Sequence, residues 1–531
     1  MRRWELGGAP GPPIDVRNAV IERERHTAND MRTSVLVIGL IMAVAAVLRF
    51  WGIGGGLPSS LGVDEPQIMI RSLTMVKTGD FNPHFFDYPG LYLYLQAAVI
   101  VVRFLAGASA GAWSSLAQVS DYDFYLWGRA LTAAFGTATV YLVYLAGTRW
   151  GMRHALLAAA VFAVVPIHVR ESHYVLTDVP MTFFVTLALV LSLRAHEQGS
   201  GSAFAWAGAA AGLAAGTKYT AWVSILLPLV AAIMLTVPLQ ARLRHVLVTL
   251  AAFFAAFLLV APYTVLDLPA FLDGFGGLAA AIPKRATSAE PGWQIYLKHL
   301  RNAMGWPSLL LAGAGLVLFA VRVVRGPGRA RFAMVLVFLP IFWLMIIDRT
   351  LIFARYLMPA IPFVCLLVAV AVVSGVGWFR RFAVPRAVRT AAIVALTAAT
   401  LVQPAITSVS FDREIARRWT YALAFDWMAQ NVKPGARVIH EAAALQFPTG
   451  RYQVEYVRSV TDKGLDFYLG GNVDYVVATS AVYERFFAVP NQFQPQYLAY
   501  QDLFKRLTLV FSVQPSPDHP GPEVRIFAVP R

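Results

Sequence analysis

Apolar residues in this chain gather in runs of spanning length, separated by short polar stretches. They cover about 34–53, 90–106, 124–146, 155–169, 179–193, 203–217, 221–237, 246–266, 307–324, 332–347, 351–373 and 387–409. A bilayer core about 30 Å thick takes roughly 20 apolar residues as a helix, so these runs predict helices of a membrane bundle. The boundary between the sixth and seventh, 217–220, is the thinnest.

If every run crossed from a cytoplasmic amino terminus, arginine-rich loops would face outward, against the positive-inside rule. Laying the run Gly90 to Ala106 on the outer face corrects the parity. Loops 147–154, 194–202, 238–245, 322–331 and 379–389 then face the cytoplasm with 13 arginines in 46 residues. The opposite segments 54–88, 109–123, 168–178, 218–220, 266–306 and 348–350 hold 9 basic residues in 108. This contrast predicts about 11 crossings and one surface helix. The tail 1–33, with Arg2, Arg3, Arg17, Arg23, Arg25 and Arg32, stays inside. The first run, Ser34 to Ile53, is longer than a signal-peptide core and lacks a convincing small-residue cleavage site, so it is expected to remain as an anchor.

Past residue 409 the pattern changes. Ile415, Trp419, Leu423 and Trp427 recur at four-residue spacing within 412–432, which ends at Lys433-Pro434-Gly435, a helix with a stop signal. Segments 436–440, 474–479 and 523–529 read as strands. The expected organisation is a cytoplasmic tail 1–33, a transmembrane domain 34–409 and a small extracytoplasmic α/β domain 410–531. The first outer loop, 54–123, carries juxtamembrane helices, and a second large outer loop covers 266–306. No internal repeat and no glycine-rich phosphate loop stands in the sequence.

Composition narrows the class. With 57% hydrophobic and 14% charged residues, the chain is a polytopic membrane protein rather than a soluble one. The net charge of +15 sits in short arginine clusters between apolar runs, which assigns it to membrane orientation rather than nucleic acid. The single cysteine, Cys365, lies inside an apolar run, so a disulfide and a cysteine metal site are excluded.

Candidate chemistry falls on the predicted outer face. Asp64 and Glu65 follow the first run by about ten residues. Two adjacent carboxylates there can cap the helix that Pro66 opens, or take a proton from an incoming nucleophile. The segment 168–178 adds Glu171, beside Arg170, and Asp178, whose place before Pro180 suits a helix cap. Lys218 and Arg129 stand near outer helix ends, and Arg355-Tyr356 opens the eleventh helix. Singly, each cation reads as a snorkelling or paired charge. Together on one face they suggest a site for an anionic lipid headgroup.

These residues carry a resemblance. Asp64-Glu65, the element Phe86-Asp87-Tyr88-Pro89-Gly90-Leu91-Tyr92-Leu93-Tyr94-Leu95, Gly128-Arg129-Ala130-Leu131, Thr177-Asp178 with Pro180, Gly216-Thr217-Lys218-Tyr219 and Arg355-Tyr356-Leu357-Met358-Pro359 resemble glycosyltransferase family 39. That family holds the protein O-mannosyltransferases and the aminoarabinose transferases of lipid A. The likeness spans roughly residues 34–410 and rests on the order of the motifs. It implies a GT-C fold with juxtamembrane helices in the first outer loop, a polyprenyl-phosphate sugar donor and inversion at the anomeric carbon. By position it implies Asp64 as general base with Glu65 beside it to orient base or acceptor. Lys218, Arg355, Tyr356 and Arg129 are then the donor-phosphate set, and Glu171, Asp178 and Tyr88 supporting outer-face groups. The sequence departs at Tyr88-Pro89-Gly90, where many members have His-Pro-Pro, so sugar and acceptor stay open.

The implied chemistry is self-consistent. A hydroxyl attacking C1 needs a proton acceptor, and a departing phosphate needs positive charge. Phosphate is a good leaving group, so no cofactor is required, and no histidine–carboxylate cluster has metal spacing. The partners expected are the membrane, the lipid-linked donor and a lipid, glycan or protein acceptor, with no nucleic acid. The expected location is a bacterial plasma membrane. The alternative is a transporter or lipid flippase, which would favour inverted repeats and ionisable groups at the midplane.

Overall fold

The computed structural model describes residues 16–59, 62, 64–281, 290–347, 352–379, 385–441 and 451–530. In order, the first helices are α1 (Val16–Phe50), α2 (Glu65–Thr78), α3 (Gly90–Ser109), α4 (Tyr125–Gly147), α5 (Met152–Ala163), α6 (Pro166–Glu171), α7 (Asp178–Gln198), α8 (Gly201–Thr217) and α9 (Leu226–Ile233). They continue with α10 (Leu239–Val260), α11 (Tyr263–Leu266), α12 (Leu268–Ala281), α13 (Gly292–Arg325), α14 (Arg329–Ile347), α15 (Ile361–Phe379), α16 (Arg386–Ile415) and α17 (Thr420–Asn431).

Over its described residues each predicted apolar run lies largely in helix, with boundaries moved by backbone chemistry. The run 155–169 breaks at Val164-Val165, because Pro166 cannot continue α5 and instead opens α6. Gly305, at φ 74° just before Pro307, kinks α13, which extends back to Gly292 rather than starting at 307. The gap at 217–220 is real: Lys218 is extended and a 3₁₀ turn, Tyr219–Ile225, leads into α9. By length and composition, nine helical spans among the described residues are apolar enough to cross a membrane, the span 90–109 among them. Met152–Ala163 and Tyr219–Ile233 are shorter apolar helices. In the loop 379–389 the residues 380–384 lie outside the described ones, as do 282–289 and 348–351.

In a bilayer, helices gain little from burying apolar surface against one another, so close backbone approach decides packing. Gly208, Gly212 and Gly216 repeat every four residues along α8 and present that surface to α10. A Cβ at Gly208 would overlap the Thr249 carbonyl, and one at Gly212 the Phe253 carbonyl. Gly212→Leu is therefore expected to destabilise the bundle by about 1–3 kcal/mol or more, as overpacking does. Gly39→Leu, which faces open space, should stay within about 0.5 kcal/mol. Thermal unfolding of both variants in detergent checks this difference.

The carboxy-terminal region is a five-stranded sheet with strands β1 (Arg437–Glu441), β2 (Gln453–Val457), β3 (Tyr475–Thr479), β4 (Thr508–Val513) and β5 (Val524–Ala528). The order is β2-β1-β3-β5-β4, with β1 parallel to β2 and β3, and β5 antiparallel to β3 and β4. Helices α18 (Leu465–Phe467), α19 (Ser480–Ala488) and α20 (Gln494–Arg506) complete it. Three strands fall where the sequence reading placed them; β2 and β4, whose residues are mostly exposed or half-buried, were not foreseen. The helix expected over 412–432 is two: α16 runs on to Ile415, and α17 starts at Thr420. A boundary at 410 thus falls inside a continuous helix.

Candidate active site

At one end of the bundle, helix ends from distant parts of the sequence converge. Asp64 holds the N-cap position of α2 but makes no cap bond with its side chain. Instead its Oδ2 accepts from Arg355 Nη2 at 2.7 Å. Arg355 lies in a 3₁₀ turn, Ala354–Ala360, that leads into α15. Its Nε lies 3.8 Å from Asp178 Oδ2, and Asp178 Oδ1 accepts from Lys218 Nζ at 2.7 Å. Asp178 is the first residue of α7, where a carboxylate meets the positive end of the helix dipole, and it too makes an ion pair rather than a cap bond. Lys218 reaches it because α8 stops at Thr217 and the chain turns extended.

The outcome is a row of alternating charge, Asp64, Arg355, Asp178 and Lys218. Two aromatic rings border it: Lys218 Nζ stands 5.8 Å from the Tyr88 ring centre and 5.0 Å from that of Tyr356. Burial, then the carboxylates of Asp64 and Asp178, push the Tyr88 phenol well above its usual range, so it stays protonated and able to donate. Arg355 Nε, buried, has no hydrogen-bond partner among the described residues. The row differs in access: the Asp64 side chain is 23% exposed and that of Asp178 2%. Of the two carboxylates only Asp64 can meet an incoming molecule directly. A narrow cleft lined by Phe85, Phe86, Tyr88, Tyr94, Tyr219 and Tyr263 opens beside Tyr88.

Glu65 and Arg129 do different work. Arg129 Nε and Nη2 donate to Glu65 Oε1 and Oε2 at 2.8 and 2.7 Å, a bidentate pair with no exposed side-chain surface. Glu65 also accepts from the amides of Gly62 at 2.7 Å and Val175 at 2.8 Å. Arg129 Nη1 donates to the carbonyls of Ile53 and Gly55 at 3.1 and 2.8 Å. Arg129, expected among phosphate ligands, is thus enclosed and engaged with Glu65; the pair pins the loop before Asp64 to α4 and to the α6–α7 connection. Glu171 is buried and paired with its neighbour Arg170, at the rim of the row. Sequence reading missed the partners of this pin. The signal for one of them was present: Gly54, Gly55 and Gly56 in succession mark a backbone that something approaches closely. Among the described residues no group of three or more His, Cys, Asp or Glu is arranged to hold a metal ion.

Comparison with known proteins bears on the fold that carries these residues. Residues 125–265 match the family model described as dolichyl-phosphate-mannose-protein mannosyltransferase. That stretch contains Arg129, Glu171, Asp178 and Lys218. Among solved structures, the chain is similar to the archaeal oligosaccharyltransferase AglB from Archaeoglobus fulgidus, in complex with an inhibitory peptide and a dolichol-phosphate. The TM-score is 0.54 and the identity 14%, over 94% of this chain and 75% of that one. It is also similar to ArnT from Cupriavidus metallidurans bound to undecaprenyl phosphate, with TM-score 0.51 and 16% identity, over 92% of this chain and 97% of that one. No curated protein matches the sequence. Over nearly its whole length, then, the chain has the fold of the GT-C membrane glycosyltransferases, and residues 125–265 match the mannosyltransferase family model as the sequence motifs implied.

Proposed function

We propose that the protein is an inverting glycosyltransferase that moves a sugar from a polyprenyl-phosphate donor to a hydroxyl acceptor at the outer face of the membrane. The observation that carries this reading is the charged row, in which one partly exposed carboxylate stands 2.7 Å from a guanidinium. Asp64 takes the proton as the acceptor oxygen bonds to C1, and the C1–O bond to phosphate breaks on the opposite side of the sugar. Charge then grows on the departing lipid phosphate, where Arg355 and Lys218 stabilise it. Asp178 holds both cations in place, and the Tyr88 hydroxyl adds a neutral donor. Similarity to structures that hold dolichol-phosphate and undecaprenyl phosphate supports the donor class.

The test is sugar transfer from a synthetic polyprenyl-phosphate donor in nanodiscs, together with profiling of lipid-linked sugars in cells lacking the protein. Arg355→Ala is expected to weaken donor use roughly thirtyfold, since a lost charge-assisted contact is worth on the order of 2 kcal/mol. Arg386→Ala, exposed at the start of α16, should leave donor use unchanged. Equal losses from the two would remove the phosphate site. Absence of transfer by the unaltered protein, with lipid-linked sugar still accumulating in cells, would favour a transporter.

A further inference from the structure

The end of α16 leads directly into the sheet domain, and it is built against the loop that anchors the Glu65–Arg129 pair. Ile415, 2% exposed, packs on the backbone of residues 52–55. A Cβ at Gly55 would overlap the Ile415 carbonyl oxygen and side chain, while one at Gly52 would lie 2.9 Å from Ile415 Cγ2. The carbonyls of this same loop are the ones Arg129 grips, at Ile53 and Gly55. One turn back on α16, the Asp412 carboxylate is fully buried; its Oδ1 lies 3.5 Å from His173 Nε2, at ion-pair distance but not in a hydrogen bond, and the neighbouring Phe411 ring packs on His173 at 5.2 Å between centres. The ring nitrogens of His173 lie 2.9 Å from the carbonyl oxygens of Val169 and Trp51. Two residues further on, the Val175 amide donates to Glu65. The α16 end therefore meets both stretches of chain that hold the pair: the loop 51–55, whose carbonyls hold Arg129, and the connection 172–177, whose Val175 amide holds Glu65.

We propose that the C-terminal end of α16, through Ile415 and Asp412, is a positioning element of the transfer reaction: it seats the loop 51–55 and His173, and so sets where the Glu65–Arg129 pair holds Asp64. This rests on the transferase reading given above. It follows that the sheet domain, carried on α16, is mechanically continuous with the reacting end of the bundle. A load on that domain, such as a bound acceptor, shifts the base rather than only tethering a substrate nearby. The route runs through packed backbone and buried polar contacts, the kind of element in which a displacement below 1 Å is passed on rather than absorbed.

Gly55 offers a perturbation aimed mainly at α16. Its backbone is not in the left-handed region, so alanine is strained there by space alone: foremost by the Ile415 carbonyl and side chain, and less closely, at 2.9 Å, by the Gly52 carbonyl of its own loop. Gly54→Ala is the matched control, because a Cβ at Gly54 meets only Leu126 Cδ1 at an ordinary 3.8 Å. Gly55→Ala is expected to lower kcat by about a hundredfold, the scale of a 1 Å misplacement. KM for the lipid-phosphate donor should stay within about threefold, since Lys218 and Asp178 are off this route, and Gly54→Ala should match the unaltered protein. Hydrogen exchange supplies a readout independent of activity: peptides covering 172–178 should exchange faster in Gly55→Ala and not in Gly54→Ala. Unchanged turnover in Gly55→Ala overturns the proposal, and so does lost turnover with unchanged exchange at 172–178. If the unaltered protein transfers no sugar, the transferase reading fails and exchange alone decides the mechanical claim. Should Gly55→Ala not fold, Ile415→Ala removes the side-chain part of the contact with Gly52 and Gly55 from the other side; about a tenfold loss in kcat with faster exchange at 172–178 is expected, and no change in either overturns the proposal.

Discussion

Asp64→Asn is expected to leave the protein folded and membrane-inserted while lowering sugar transfer roughly a hundred- to ten-thousandfold, the usual worth of a positioned general base. Stability should barely move, for two reasons. Asn and Asp rank together at an N-cap, and the Asp64 side chain makes no cap bond to lose. The ion pair with Arg355 is partly exposed on both sides, which keeps its contribution to about 0–1 kcal/mol, and an asparagine oxygen still accepts from Arg355 Nη2. Proton acceptance is what the substitution removes. Turnover and thermal midpoint measured on one preparation separate the roles, and normal turnover would sink Asp64 as the base. Asp178, the other carboxylate of the row, could take over only if the row opened, since its side chain is 2% exposed.

Asp64 also shows how far the sequence could be read. Its place ten residues after an apolar run, with Pro66 behind it, supported cap and base alike, and nothing in the sequence announced that its carboxylate makes no cap bond and turns to Arg355, 291 positions away. The long apolar runs were legible because their signal is local and cumulative. Where α5 stops and α13 kinks was encoded too, in Pro166 and in Gly305 before Pro307, yet periodicity alone passes over such breaks. The charged row was legible as a set of residues at helix ends, because short polar gaps between spanning helices leave few places for ions. Which cation serves which carboxylate was not. Arg129 and Arg355 look alike in sequence, each near a helix start, but one is sealed in a bidentate pair and the other keeps part of its surface open. Pairing of that kind is decided by tertiary contacts between segments more than 60 positions apart, and no spacing rule reaches it. The strands β2 and β4, which were not foreseen, both lie at sheet edges and are mostly unburied, whereas β1 and β3 are buried along nearly their whole length.

The Glu65–Arg129 pair yields the opposite signature from Asp64. Breaking a buried ion pair by removing one partner strands the other charge, at a cost of about 3–5 kcal/mol. Arg129→Gln leaves the Glu65 carboxylate enclosed with only the Gly62 and Val175 amides, and it frees the Ile53 and Gly55 carbonyls. Thermal midpoint and yield of folded protein should fall sharply, and transfer with them. Arg129→Lys is expected to rescue little, because a single ammonium cannot reproduce two parallel bonds to the carboxylate and two more to backbone. Glu65→Gln strands Arg129 instead and should behave like Arg129→Gln. The decisive comparison sets these variants beside Asp64→Asn on the two axes of rate and stability. Rate falling alone marks a group that meets the substrate, and both falling together marks a group that holds the site. If Glu65→Gln kept its full thermal midpoint and lost transfer, Glu65 would be a reacting group, and its enclosure by Arg129 would have to open during turnover.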